Sequence, residues 1–156
     1  MSSYKVKACV NGEAIDLHKV ADPVFAQKLT GDGMAIRPVE NNFYAPIDGT
    51  IRMMFGGKHA FVVENDEGAY ILVHIGTNTL SLNGDGFTSH VKQGDKVKCG
   101  DLIISVDKEL MDNPRYDFST VILIMKQKLH QEVTEKKTYG QVLAGETVVL
   151  KVSIEN

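Results

Sequence analysis

Glycine sets the grammar of this chain. The 156 residues include 14 glycines and no tryptophan, and through much of the chain glycines recur at short intervals between runs rich in Val, Ile, Phe and Tyr. Such runs include Phe61-Val62-Val63-Glu64, Tyr70-Ile71-Leu72-Val73, Leu102-Ile103-Ile104-Ser105-Val106 and Thr147-Val148-Val149-Leu150-Lys151-Val152. Short β-rich segments between regular turn signals predict an all-β fold, an antiparallel sandwich or barrel. Two stretches read as short helices, Asp22 to Leu29 and Lys108 to Asn113, the second stopped by Pro114. No low-complexity linker divides the sequence, so one domain over residues 1–156 is expected.

Two segments share a strand–turn–strand phrase with glycine close to a β-branched residue. They are Ala45-Pro46-Ile47-Asp48-Gly49-Thr50-Ile51 and Gly94-Asp95-Lys96-Val97-Lys98-Cys99-Gly100-Asp101-Leu102-Ile103. Cys9-Val10-Asn11-Gly12-Glu13-Ala14-Ile15 is a degenerate third copy. The phrase suits a sandwich with internal pseudo-symmetry, and it equally suits generic turn chemistry.

The bulk numbers remove several functional classes. A net charge of -3 with Lys and Arg spread along the chain does not support a nucleic-acid stripe. Apolar runs such as Val121-Ile122-Leu123-Ile124-Met125 are too short to span a bilayer, and residues 1–7 carry no signal-like apolar stretch. Cys9 and Cys99 lie too far apart in sequence for metal-ligand spacing and are expected as free thiols in a reducing compartment, the cytoplasm. A monomer is the default expectation.

Two of the five histidines stand in a relation that can be worked out. Asn65-Asp66-Glu67-Gly68 is a turn sequence with glycine available for the left-handed position. A turn centred between Asp66 and Glu67 pairs Val63 with Tyr70, Phe61 with Leu72, and His59 with His74. The two histidine Cβ atoms would then stand roughly 4.5–5.5 Å apart; a bulge at Gly68 would slide the register by one. Ile71 and Val73 share one face of the strand, Leu72 and His74 the other, and Gly76 ends it.

A neutral imidazole nitrogen is a nucleophile near neutral pH. To accept a phosphoryl group, one ring nitrogen needs its lone pair while the other is held as N–H, and a carbonyl in the Gly76 turn is well placed to hold it. A second imidazole can donate to a phosphate oxygen. The same pair could bind zinc, although two ligands fall short of the usual three or four. His18, His90 and His130 have no comparable surroundings and read as surface or core residues.

With these residues assembled, the chain resembles the glucose-type IIA domains of the phosphoenolpyruvate-dependent sugar phosphotransferase system, from about Val10 to Val152. The resemblance is carried by Gly31-Asp32-Gly33-Met34-Ala35-Ile36-Arg37-Pro38, by Ala45 to Ile51, by Lys58-His59-Ala60-Phe61 and by Leu72-Val73-His74-Ile75-Gly76. The segments Leu80 to Phe87 and Val91 to Val97 add to it. It implies an antiparallel β-sandwich of the duplicated hybrid-motif type with a shallow active-site depression. His74 would be phosphorylated on Nε2 by the carrier protein HPr and would pass the group to a IIB domain, with His59 assisting. The membrane would be met only indirectly, through the IIC permease, and no cofactor would be required. Any zinc at His59 and His74 would be adventitious or shared between molecules.

The resemblance further implies an apolar collar that docks partners, at Val24, Phe25, Leu29, Phe55 and Leu72, with Asp22 facing basic partner residues. Two positions depart from the family pattern. Gly57 stands where a threonine hydroxyl usually helps to organise the site, and Asn78 stands where an acidic residue usually meets a partner's arginine. A divergent, regulatory member with impaired transfer is therefore an alternative. A biotinyl- or lipoyl-type carrier shares the turn phrases, but Met125-Lys126, its only candidate attachment point, lacks the required tight hairpin. A zinc hydrolase would need a further ligand beside the pair.

Overall fold

The apolar run from Val121 to Met125 lies at the middle of the molecule. The computed structural model describes residues 2–20 and 31–155, so the expected helix at 22–29 lies outside the described residues. The strands are β1 (Ser2–Lys7), β2 (Gly12–Ile15), β3 (Gly31–Pro38), β4 (Asn42–Tyr44), β5 (Gly49–Met54), β6 (Ala60–Glu64) and β7 (Tyr70–Ile75). They continue with β8 (Phe87–Ser89), β9 (Lys96–Val97), β10 (Leu102–Val106), β11 (Thr120–Met125), β12 (Gln131–Lys136), β13 (Gln141–Val142) and β14 (Val148–Ile154). All pairings are antiparallel, in one eight-stranded sheet ordered β13-β2-β3-β11-β7-β6-β5-β9 and two three-stranded sheets, β1-β14-β12 and β4-β10-β8. The all-β expectation holds.

β11 and β7 are neighbours at the centre of the large sheet, and both faces of each are covered, which is why their sequences run apolar without alternation. Ile122 and Ile124, with Ile71, Val73 and Ile75, enter the main core. Val121, Leu123 and Leu72 point the other way, into a second cluster with Ile15, Leu17, Val20, Ala35, Ala60 and Val62. The two faces of β7 are thus divided as the alternation predicts, and His74 lies on the side of the second cluster.

The pseudo-repeat is real and has four copies. Segment 45–51 runs antiparallel to 94–103, with Gly49 opposite Val97 and the Ala45 N–H donating to the Asp101 carbonyl (2.9 Å). Segment 9–15 runs in the same manner beside Tyr139-Gly140-Gln141-Val142-Leu143-Ala144-Gly145-Glu146-Thr147, with Gly12 opposite Val142. The two pairs lie at opposite ends of the large sheet. They meet where a Cβ on Gly145 would come within 3.2 Å of the Gly100 Cα.

The hairpin between β6 and β7 departs from the simplest register. Glu64 pairs with Tyr70, Val62 with Leu72 and Ala60 with His74, one step away from a direct His59–His74 pair. The loop is three residues, not two. The Asn65 N–H donates to the Ala69 carbonyl (3.0 Å), the Asn65 side chain accepts from the N–H groups of Glu67 and Ala69, and Gly68 takes φ 84°. A type I turn followed by a left-handed glycine adds the residue that shifts the ladder.

The second helix expectation is met by one turn, α1 (Lys108–Met111). It tightens before Pro114, with the Asn113 N–H reaching the Leu110 carbonyl at 3.1 Å, because proline has no N–H to extend it.

Candidate functional site

His74 is the last outward-facing residue of β7. It stands half-buried between Ala60 on one neighbouring strand and Val121 on the other. Small Ala60 keeps bulk away from the ring. Beyond Ile75 the chain turns at Gly76, φ 84°, and folds back so that the Gly76 carbonyl oxygen lies 2.8 Å from His74 Nδ1. A carbonyl only accepts, so Nδ1 carries the proton and the neutral ring has its lone pair on Nε2. The carbonyl expected in the Gly76 turn is that of Gly76 itself.

Glycine is required here on two counts. The backbone is left-handed, and a Cβ would overlap Thr79 Cγ2 and lie 3.0 Å from the Asp117 carbonyl oxygen. Thr79, which the sequence does not single out, is buried. Its hydroxyl donates to the Ile75 carbonyl at 2.5 Å, closing the turn that carries the acceptor for His74.

His59 reaches the same place by a different route from direct cross-strand pairing. It stands just outside β6, its carbonyl accepting from the Ile75 N–H at 2.7 Å, where strand alternation no longer dictates the side-chain direction. The turn before it runs from Phe55 to Ala60. The Phe55 N–H donates to the Ala60 carbonyl (3.1 Å), and Lys58 takes φ 58°. The His59 ring packs edge-on against both His74 (centroids 5.1 Å, planes at 79°) and Phe55 (5.6 Å, 68°). It is 4% exposed, and burial pushes its pKa below the ordinary imidazole value. Among the described residues its Nδ1 has no hydrogen-bond partner.

The remaining expected residues divide clearly. Leu72 lies on the His74 face, in the second cluster, and Phe55 packs against that cluster while still partly accessible. Gly57 sits against the His59 ring. Asp22, Val24, Phe25 and Leu29 lie outside the described residues. Asn78 does structural work: its amide donates to the Arg115 carbonyl (3.3 Å), and its oxygen accepts from the Asp117 N–H (3.4 Å). It braces the loop whose Asp117 and Ser119 carbonyls accept from Thr77 and Gly76. An aspartate could not make the first of these bonds.

His18, His90 and His130 are exposed and paired locally, with Asp16, Ser105 and Glu155. Both cysteines are free thiols. Among the described residues, no group of three or more His, Cys, Asp or Glu could hold a metal ion. A groove of about 650 Å³ between the start of β3 and the β11–β12 connection is lined by neither His59 nor His74.

An antiparallel β fold holding one imidazole whose Nδ1–H is tied to a carbonyl, with a buried second imidazole against it, is chemically equipped to carry a group on histidine. The comparisons with known proteins identify the family. Residues 4–129 match the family model of the phosphoenolpyruvate-dependent sugar phosphotransferase system, EIIA 1, and the chain belongs to that family, the phosphocarriers of sugar phosphotransferase systems.

The glucose-specific EIIA component of Oceanobacillus iheyensis is 42% identical over 147 residues, covering 94% of this chain and 88% of that protein. The glucose-specific EIICBA component of Streptococcus pneumoniae is 39% identical over 150 residues, which are 96% of this chain and 20% of that longer protein. The structure of glucose permease IIA from Mycoplasma capricolum superposes with a TM-score of 0.86 at 35% identity, covering 97% of this chain and 96% of that one.

Proposed function

We propose that His74 is the residue that carries the phosphoryl group, on Nε2, receiving it from phospho-HPr and passing it to a IIB domain. The observation that carries this reading is the 2.8 Å contact between His74 Nδ1 and the Gly76 carbonyl. As the Nε2 lone pair forms the new N–P bond, the bond to the donor's nitrogen breaks and its electron pair leaves with the donor. Positive charge then grows on the His74 ring, and the Nδ1–H bond to the Gly76 carbonyl strengthens with it. His59 stabilises the charge on the phosphoryl oxygens. Kept neutral by burial, it adds no second cation beside the ring that gains charge.

Acceptance by a IIB domain is supported by the Streptococcus pneumoniae relative, whose name joins the A component to B and C components. The relatives' names make glucose the first sugar to test. No helix among the described residues is long and apolar enough to cross a membrane, and we place the protein at the cytoplasmic face, where the donor resides. Phe55 and Leu72 belong to the apolar surround of the docking surface, and no cofactor enters the reaction.

Incubation with phosphoenolpyruvate, Enzyme I and HPr tests the reading. One acid-labile phosphate per chain is expected, and no incorporation with HPr from several sources would overturn it.

A further inference from the structure

The turn that delivers His59 holds a lysine at a position suited to glycine. Lys58 takes φ 58°, in the left-handed region, which a residue with a Cβ adopts at a cost and glycine adopts freely. Gly56 and Gly57 stand immediately before it, and neither is left-handed. The turn thus contains two glycines and places neither where the backbone calls for one.

Packing gives no reason for a lysine there. Its side chain is exposed, and among the described residues its ammonium has no ion pair or hydrogen bond. The Lys58 N–H donates to the Phe55 carbonyl at 2.8 Å and closes the turn, a bond that any residue except proline could make. Backbone strain that packing does not explain is found most often at functional sites.

The place of Lys58 does give a reason. On one side of it Gly57 lies against the His59 ring, and on the other His59 meets the His74 ring with centroids 5.1 Å apart. Adjacent Cα atoms are about 3.8 Å apart, so an ammonium on a four-carbon stem at position 58 reaches the rim of the histidine pair. A phosphoryl group on His74 brings negative charge into a site whose second imidazole is kept neutral by burial. Lysine clamps transferring phosphoryl groups well because its charge is compact and its donors rotate.

We propose that Lys58 binds the phosphoryl group, its ammonium donating to the oxygens of the group carried on His74, and that the left-handed turn at 58 is kept in order to hold it there. This rests on the reading of His74 as the phosphoryl carrier. The two neighbours then act differently: His59 gives a neutral hydrogen bond, and Lys58 supplies a full positive charge. On an exposed rim the contact is weaker than in a closed site. Its strength falls between a surface ion pair and a charge-assisted hydrogen bond.

The test is the equilibrium of phosphoryl exchange between HPr and this chain, for the wild type and for Lys58→Gln, Lys58→Arg and Lys58→Gly, with thermal unfolding of each. That equilibrium compares the free proteins, so a residue that acts only in docking leaves it unchanged. Lys58→Gln keeps a side chain on the left-handed backbone and loses the charge. It should shift the equilibrium toward phospho-HPr by about three- to tenfold, while Lys58→Arg stays within about twofold of the wild type. Lys58→Gly should shift it as far as glutamine does and yet unfold about 2–4 °C higher, because the strained backbone is released. Lys58→Gln or Lys58→Gly matching the wild type in equilibrium would overturn the proposal, as would a Lys58→Gly no more stable than the wild type. Labelling by excess phospho-HPr is read in the same samples, so failure of the carrier reading shows separately, as no label in any of the four proteins.

Discussion

The rings of His59 and His74 meet edge to face, centroids 5.1 Å apart, although the residue paired with His74 across the ladder is Ala60. One histidine is fixed by a strand and the other by a turn. The strand histidine has its tautomer set by the Gly76 carbonyl, and the turn histidine is the more deeply buried. In the proposed function this asymmetry gives the rings separate jobs: His74 would be the nucleophile, and His59, kept neutral by burial, would meet the charge once it arrives.

His59→Gln should therefore accept phosphate from phospho-HPr and donate it onward poorly, by about 10²-fold or more for a lost stabiliser of transferring charge. Rapid-quench transfer in each direction measures the two steps. Equal loss of acceptance and donation would show that the roles are wrongly divided.

Stability should carry a signature of the same burial. The folded His59 ring protonates at lower pH than in the unfolded chain. As pH falls below about 6.5, the unfolded state takes up a proton that the folded state refuses. Its contribution is complete above that value and is lost as pH drops toward the folded pKa. Urea titrations at several pH values should show stability falling more steeply with acid in the wild type than in His59→Gln. Parallel curves would contradict the assignment.

Gly76→Ala should destabilise the fold. The left-handed backbone alone costs about 1–2 kcal/mol for a residue with a Cβ, and the overlap with Thr79 Cγ2 and the approach to the Asp117 carbonyl add to it. Thermal unfolding should register a fall of several degrees, and an unchanged midpoint would mean that the turn relaxes freely.

Asn78→Asp puts an acidic residue where the family resemblance implies one and removes the donor to the Arg115 carbonyl. A net cost of about 0.5–1.5 kcal/mol in stability is expected from that bond, together with a changed, salt-sensitive rate of association with partners. A variant as stable as the wild type would show that Asn78 does not brace the 115–117 loop.

Much of this was legible in the sequence, and the misses have physical causes. The division of Ile71 and Val73 from Leu72 and His74 follows from strand alternation, and a carbonyl at the Gly76 turn follows from where the strand must stop. The register does not. Asn65 to Gly68 reads equally as a two-residue turn or as a three-residue loop ending in a left-handed glycine, and only hydrogen bonding at Ala69 separates them. The fourth copy of the repeat, Tyr139 to Thr147, shares backbone geometry with the others but not their Ala-Pro or Gly-Asp wording. Asn78 bonds to backbone groups of a distant loop, and local sequence carries no mark of that.

The most direct measurement is the mass and site of the phosphoryl group after reaction with phosphoenolpyruvate, Enzyme I and HPr, in the wild type and in His74→Ala. The wild type should gain one phosphate that nitrogen-sensitive ³¹P NMR places on Nε2 of His74, and the variant should gain none. A phosphate retained by His74→Ala, or attached at Nδ1 of the wild-type ring, would contradict the account.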